Sequence, residues 1–147
     1  ISNSLDNLCK RFNIDISELQ TYETVHNYIS PLGILRKGAI SAKKDEVVFI
    51  PLNMRDGVIR AVGKGNKNWN YSAPHGAGRI MSRSQAKKEI LLEDFQKSMS
   101  DVYTSSVSSS TLDEAPMAYK NKSDIIDYVG DTIEILEIIK PLYNYKA

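Results

Sequence analysis

The sequence predicts an α+β fold, with a strand-rich N-terminal half and helices toward the C-terminus. Short stretches rich in β-branched residues recur early in the chain and predict strands at 25–29, 33–42, 46–50 and 58–63. Apolar residues at helical spacing follow in the later part. Strands followed by helices are typical of the α+β class, and 147 residues are the size of one domain.

The other elements follow in chain order. Residues 4–12 carry the apolar spacing of a short helix, and the cluster of turn-forming residues at 63–70 predicts irregular backbone. Ser82 and Gln85 lie at capping-box spacing, which predicts a helix that begins there and continues through residue 89. The serine-rich stretch 104–111 predicts a loop or an edge strand.

The last helix is predicted from five apolar positions that recur at helical spacing, and Pro141 is expected to end it. These positions are Ile125, Val129, Ile133, Leu136 and Ile139.

Composition predicts a cytoplasmic protein with no membrane segment. A hydrophobic fraction of 41% and a charged fraction of 25% are typical of a soluble globular chain. The longest apolar runs, such as 47–50, are far shorter than the roughly 20 residues of a membrane span. The single cysteine, Cys9, excludes an internal disulfide framework and fits a reducing compartment. Its position on the apolar face of 4–12 indicates a packed thiol.

Charge is segregated along the chain although the net charge is only +1. The segment 55–88 holds eight basic residues and one acid, Asp56, for a net charge of +7. A phosphate-rich ligand at this segment would explain the pattern. A chance distribution of charge over a surface explains it equally well.

The segment most informative about chemistry is 72–83. Gly76 and Gly78 leave the backbone bare, so N–H groups there could approach phosphate oxygens closely. Arg79 and Arg83 lie four residues apart and would share a helix face if the helix began early. On such a face, their guanidinium groups could grip phosphate.

His75 lies in the middle of this segment, and its chemistry has several interpretations. A neutral ring nitrogen could attack phosphorus and form a phosphoramidate. The side chain could equally be a general base, a metal ligand or an anchor that holds the loop. The residues alone leave these alternatives open.

The run Ser-Ala-Pro-His-Gly-Ala-Gly-Arg at 72–79, followed by Met-Ser-Arg at 81–83, resembles the nucleotidylation signature of the RtcB family of 3′-phosphate RNA splicing ligases. Further segments match in the same order, at 25–28, 36–39, 50–54, 113–120 and Lys146. The resemblance covers nearly the whole chain after about residue 23. It implies that the α+β fold is part of an RtcB-like fold.

The resemblance implies a GTP- and manganese-dependent RNA ligase active in tRNA splicing or RNA repair. His75 would attack the α-phosphate of GTP, carry GMP and pass it to an RNA 3′-phosphate. A 5′-hydroxyl end would then displace GMP. A 2′,3′-cyclic phosphate would first be opened to the 3′-phosphate.

The resemblance also implies the roles of further residues. His26 corresponds to a manganese ligand. Tyr119 corresponds to a tyrosine that packs on guanine, and Lys146 to a lysine that reads the base edge. Nucleotide contacts are implied for His26, Asn27, Pro51, Leu52, Asn53, Met54, His75, Gly76, Ala77, Gly78, Tyr119 and Lys146. Contacts with phosphate or RNA are implied for Lys37, Arg79 and Arg83.

Several positions depart from the family pattern or have a second interpretation. Leu52 and Asn53 stand where glycine and serine are common in the family. His26 and Asn27 would point to opposite faces of a regular strand, so sharing one site requires a bend or a strand end there. Trp69 could stack on an RNA base, but a packed tryptophan is the simpler interpretation.

The family's two manganese ions need a cysteine, an aspartate and three histidines, whereas this chain holds two histidines. Residues 1–147 are therefore expected to be one segment, the C-terminal catalytic part of a longer protein, that binds metal poorly alone. Expected partners are RNA, the N-terminal half of the same protein and an archease-type activator. The alternatives are a nucleotide- or RNA-binding module without turnover, and a phosphohydrolase with His75 as a transient nucleophile.

Overall fold

The computed structural model describes residues 24–144, together with Lys10, Arg11, Asn13, Asp15 and Tyr22. The predicted helix at 4–12 lies outside the described residues except at Lys10 and Arg11, which are helical. Cys9 and Lys146 also lie outside them.

Nine strands and three α-helices make up the described part of the chain. The strands are β1 (Asn27–Ile29), β2 (Leu35–Lys37), β3 (Ala39–Ser41), β4 (Val47–Asn53), β5 (Gly57–Gly63), β6 (Ser72–Pro74), β7 (Tyr103–Thr104), β8 (Ile133–Ile139) and β9 (Tyr143–Asn144). The helices are α1 (Arg83–Glu89), α2 (Leu92–Ser98) and α3 (Lys122–Val129). Short 3₁₀ helices cover Lys67–Trp69, Ser109–Glu114 and Pro116–Ala118.

The predicted α+β class is confirmed, since strands fill the first half and helices follow. The predicted strand at 33–42 is divided into β2 and β3 at Gly38, which has a positive φ of 65°. At 63–70 the backbone is irregular as expected, apart from the 3₁₀ turn Lys67–Trp69. Within the described residues, no helix is long and apolar enough to cross a bilayer.

The main core lies on one face of a three-stranded antiparallel sheet of order β4-β5-β8. Alternate residues of β4 and β5 point into it, including Ile50 and Ile59, which are directly paired and fully buried. Burying one such side chain stabilises the fold by roughly 2–3 kcal/mol. Helix α3 covers this face with Ile125 and Val129.

The prediction of one helix from Ile125 to Ile139 is wrong in its second half. Helix α3 ends at Val129, and residues 133–139 form β8, which pairs with β5. The helical spacing rested on Ile133, Leu136 and Ile139, but Leu136 and Ile139 are exposed. An irregularity in the pairing at residues 135–137 instead lets Ile133, Ile135 and Ile138 pack against the core. Isoleucine is stiff at χ1 and favours strands, and pairing with β5 decided the conformation.

A second core packs α1 and α2 against the 3₁₀ helices Ser109–Glu114 and Pro116–Ala118 and includes the fully buried Phe95. Helix α1 begins as predicted, because the Ser82 hydroxyl accepts the N–H of Gln85 at 3.2 Å. The serine-rich stretch is partly edge strand, since Thr104 belongs to β7, which pairs with β9 in parallel. Its remainder enters the 3₁₀ helix Ser109–Glu114.

Asp56, in the turn between β4 and β5, supports a prediction about how the stability of the fold depends on pH. Burial raises the pKa of Asp56, but hydrogen bonds from Arg55 and Asn53 outweigh it and hold that pKa below 3.8. The ionised carboxyl therefore stabilises the fold above pH 3.8, and this contribution is lost as the pH falls through the folded pKa. The unfolding free-energy difference between the unaltered protein and Asp56→Asn should be constant at neutral pH and shrink as the pH falls below 3.8. Chemical denaturation measures it, with Asp101→Asn, at an exposed carboxyl, as the charge-matched control.

Candidate active site

A cavity of about 620 Å³ opens where the end of β4, the loop after β6 and the turn at Tyr119 meet. Its volume is within the usual range for small-molecule sites. Most of the predicted site residues line it, namely His26, Pro51, Leu52, Asn53, Met54, His75, Gly76, Ala77, Gly78, Arg79, Arg83 and Tyr119. The tertiary structure thus brings four separate parts of the sequence, at 26, 51–54, 75–83 and 119, to one pocket.

His75 follows directly after β6, and its backbone N–H donates to the Gly38 carbonyl at 3.0 Å. Its Nε2 atom is buried and has no hydrogen-bond partner in the part of the chain that the structure describes. Burial, and then the charge of nearby His26, lower the pKa of His75 below its ordinary value of 6.5. The ring is therefore neutral at pH 7, and a neutral imidazole nitrogen is a nucleophile or a metal ligand.

His26 stands edge-on to His75, with ring centroids 4.8 Å apart. Its Nδ1 lies 2.7 Å from the Asn27 side-chain oxygen. Because an amide oxygen only accepts, Nδ1 carries the proton and the Nε2 lone pair is left for a ligand. The chain bends at His26 and β1 begins at Asn27, so the strand boundary expected between them is present. Asn27 orients His26 but does not line the cavity.

Gly38 connects the two histidines through the backbone. Its N–H donates to the His26 carbonyl at 3.0 Å, and its carbonyl accepts from His75. The positive φ of 65° that this bridge needs is one that glycine adopts without strain.

The loop after β6 that contains Gly76 and Gly78, here called the glycine loop, packs tightly against the end of β4. A Cβ on Gly76 would lie 3.0 Å from the Pro51 carbonyl oxygen, a tighter contact than most side chains make, so glycine relieves crowding there. The same oxygen accepts the Ala77 N–H at 3.1 Å. The backbone N–H groups of His75 and Ala77 therefore donate to carbonyl groups within the protein. Of the backbone N–H groups in this loop, those of Gly76 and Gly78 are the ones expected to donate to phosphate.

The two departures from the family pattern at the end of β4 have structural roles. Leu52 is 3% exposed and belongs to the main core. The Asn53 side chain builds the β4–β5 turn, since its oxygen accepts the N–H of Arg55 and Asp56 and its amide donates to Asp56. Asn53 lines the cavity, but its polar atoms are already engaged.

Arg79 and Arg83 do not share a helix face, because α1 begins only at Arg83. Arg79 donates to the Met81 carbonyl at 3.2 Å, to the Tyr119 hydroxyl at 3.0 Å and to the Asp113 carbonyl. Its guanidinium also lies over the Tyr119 ring, 4.8 Å from the centroid. Tyr119 thus has one face covered by Arg79.

Other predicted residues lie away from the cavity. Lys37 is on β2, opposite Asn27 in the strand register. Trp69 is 57% exposed, so the interpretation as a packed tryptophan is wrong and base stacking stays a prediction. Glu114, Lys140 and Asn144 line the cavity but were not predicted. Only Glu114 had a signal in the sequence, since it falls in the matched segment 113–120.

The described residues supply part of a metal site at most. Imidazole nitrogen is a suitable donor for manganese, and His26 Nε2 is such a donor. Among the residues that the structure describes, no group of three or more His, Cys, Asp or Glu side chains is placed to hold a metal ion. The donors on this face do not complete a manganese site, so further ligands would have to come from outside the described residues.

A family model described as tRNA-splicing ligase RtcB matches residues 3–147. The chain belongs to the RtcB family. It is 32% identical over 129 residues to the RNA-splicing ligase RtcB of Escherichia coli K12, covering 83% of this chain and 31% of that protein. It is 34% identical over 125 residues to the tRNA-splicing ligase RtcB of Aeropyrum pernix, covering 73% of this chain and 26% of that protein. The chain thus spans about a third or less of the length of these curated RtcB relatives.

Proposed function

We propose that this chain carries the covalent nucleotide step of an RNA ligase. The ligase would join RNA ends bearing a 3′-phosphate or a 2′,3′-cyclic phosphate to 5′-hydroxyl ends, with GTP as the energy source. The observation that carries the proposal is His75, which lines the cavity and whose buried Nε2 has no hydrogen-bond partner among the described residues. The printed names of the relatives, RNA-splicing and tRNA-splicing ligase, support the reaction class.

In the first step the lone pair of His75 Nε2 attacks the α-phosphorus of GTP. A P–N bond forms, the bond from the α-phosphorus to the bridging oxygen breaks, and pyrophosphate leaves. The lowered pKa of His75 supports this role, because protonation would remove the attacking lone pair. The reaction requires the ring tautomer with its proton on Nδ1.

In the second step an oxygen of the RNA 3′-phosphate attacks the phosphorus of the His75 adduct. The P–N bond breaks, and the RNA end becomes a diphosphate capped with guanosine. The 5′-hydroxyl of the second RNA then attacks the RNA-side phosphorus. A phosphodiester forms, the hydroxyl proton is released and GMP leaves.

Each transfer places negative charge on phosphoryl oxygens, and the cavity offers donors for it. Gly76 and Gly78 supply bare backbone, and Arg83 supplies a guanidinium. Tyr119 would pack on the guanine, and Lys146 would read its edge. Manganese, held in part by His26 Nε2, would supply positive charge when bound. Lys37, on β2 and outside the cavity, would contact phosphate or RNA.

We further propose that the remaining metal ligands come from the rest of a longer protein. The E. coli and A. pernix relatives are several times longer than the matched segment, and the described donors do not complete a metal site. RNA is the proposed substrate, and an archease-type protein a proposed activator.

The test is transfer of label from α-labelled GTP to the protein in the presence of manganese. We expect acid-labile, alkali-stable label on the full-length protein. No label should be found when γ-labelled GTP replaces α-labelled GTP. His75→Asn should abolish the label, whereas Lys97→Met, at an exposed side chain on α2 outside the cavity, should leave the label intact.

The labelling experiment also separates the alternatives. Label from γ-labelled GTP would indicate a phosphohydrolase with a phosphorylated histidine. Binding of GTP with no adduct, under conditions in which manganese is bound, would indicate a nucleotide- or RNA-binding module. Either result would refute the ligase proposal.

A further inference from the structure

Glu114 lines the cavity, and its carboxylate binds two residues that are predicted to contact the ligand, Tyr119 and Arg83. One oxygen accepts the Tyr119 hydroxyl at 2.8 Å, and the other accepts Arg83 Nη1 at 2.9 Å. The Glu114 side chain is 15% exposed, so the carboxylate that accepts these charge-assisted hydrogen bonds is largely shielded from water. One carboxylate thus fixes the separation between an aromatic ring and a guanidinium group.

Asp113 is the neighbouring carboxylate, but it has a different set of contacts. It accepts Arg83 Nη1 at 2.6 Å and lies 3.4 Å from Lys87 Nζ. Its side chain is 7% exposed. Among the described residues, no hydrogen bond joins the Asp113 carboxylate to Tyr119, so the two acids bind overlapping but distinct partners.

Arg83 needs such support because its side chain is 69% exposed. A long, exposed arginine loses considerable rotamer entropy when it is fixed by a ligand. Both carboxylates bind the same atom, Nη1. Among the described residues no hydrogen bond engages Nε or Nη2, whose N–H groups can donate to phosphate oxygens. Arg83 is therefore pre-oriented by one nitrogen while its other nitrogens remain available.

We propose that Asp113 and Glu114 are positioning residues with separable effects. Both orient Arg83 toward a phosphate of the bound nucleotide. Of the two carboxylates, only Glu114 also orients Tyr119 against the base. This inference rests on the proposed guanine-nucleotide function of the cavity. It adds two carboxylates that do not touch the nucleotide but determine where its phosphate and its base are held.

The ionisation of Tyr119 gives an independent measure of the contact with Glu114. Burial, and then the hydrogen bond and charge of Glu114, raise the pKa of Tyr119 to about 12. Glu114→Gln removes that negative charge while preserving the shape of the side chain. The pKa of Tyr119 should therefore fall in Glu114→Gln and change little in Asp113→Asn. Carbon-13 NMR of ring-labelled tyrosine, assigned with Tyr119→Phe, measures it.

The binding test compares GMP with guanosine by isothermal titration calorimetry, on the intact protein with manganese present. Asp113→Asn should weaken GMP by roughly tenfold, as expected for one charge-assisted hydrogen bond, and leave guanosine unchanged. Glu114→Gln should weaken both ligands. The matched control is Glu89→Gln, at an exposed carboxyl on α1 that accepts a hydrogen bond from Gln85. It should not weaken the binding of GMP or guanosine.

The outcomes separate this inference from the proposed function. If the unaltered protein bound neither GMP nor guanosine, both proposals would be overturned. If it bound both ligands but Asp113→Asn weakened guanosine as much as Glu114→Gln does, only the positioning inference would fail. An unchanged pKa of Tyr119 in Glu114→Gln would also overturn it, even if a variant lost stability and bound poorly.

Discussion

Replacing Gly57 with alanine is expected to lower the free energy of unfolding by about 3 kcal/mol, through overpacking and a left-handed backbone conformation. Gly57 has a φ of 84°, and an added Cβ would lie 2.0 Å from the Ile139 carbonyl oxygen. That oxygen belongs to backbone, so no side-chain rotation relieves the overlap. The substitution would force β5 and β8 apart at the edge of the cavity that both residues line.

Gly130→Ala is the matched control for this prediction. Gly130 follows helix α3 in a right-handed conformation, with φ −55°, and an added Cβ would meet nothing within 4 Å. It should be neutral or slightly stabilising. Urea unfolding followed by circular dichroism measures both variants. Equal midpoints for Gly57→Ala and Gly130→Ala would contradict the close approach of β5 and β8 at Gly57.

Replacing Arg79 with methionine is also expected to destabilise the fold by about 3 kcal/mol, because several hydrogen bonds to one charged group are lost together. Arg79 ties the glycine loop to Tyr119 and to the backbone of Asp113, and its side chain is 23% exposed. Methionine keeps much of the apolar stem but no donor. Lysine should restore little, because one ammonium cannot reproduce the planar fork.

Arg60→Met is the control for loss of a positive charge. Arg60 pairs with Glu137 at 2.8 Å on an exposed surface of the sheet, where such a pair contributes at most about 1 kcal/mol. Thermal unfolding without nucleotide compares the two variants. If Arg79→Met were as stable as Arg60→Met, the internal role of Arg79 would be refuted and a role confined to ligand binding favoured.

Much of the candidate site could be predicted because its chemistry is local in sequence. The run around His75 resembles a family signature that contains a histidine, glycines and arginines, and these residues line the cavity. The hydrogen bonds of Arg79 within the protein could not be predicted, since its partners at 113 and 119 are distant in sequence. The same holds for Asn53, whose polar atoms are committed to a turn that the sequence does not specify uniquely.

The error at the end of the chain has a similar cause. The spacing from Ile125 to Ile139 fits a helix, and local propensity does not exclude one. Pairing of β8 with β5 satisfies the backbone hydrogen bonds of 133–139 in another way and buries Ile133 in the main core. Long-range pairing of this kind overrides a local periodicity.

The sequence by itself determined the fold class, the family and the histidine at the centre of the site, because these depend on residue types and short spacings. Only the tertiary structure decided how the site is supported. It placed His26 against His75, turned Arg79 toward Tyr119 and set Asp113 and Glu114 behind Arg83. These contacts join residues up to about fifty positions apart, and hydrogen-bond geometry at that separation is set by packing of the whole domain rather than by any local pattern.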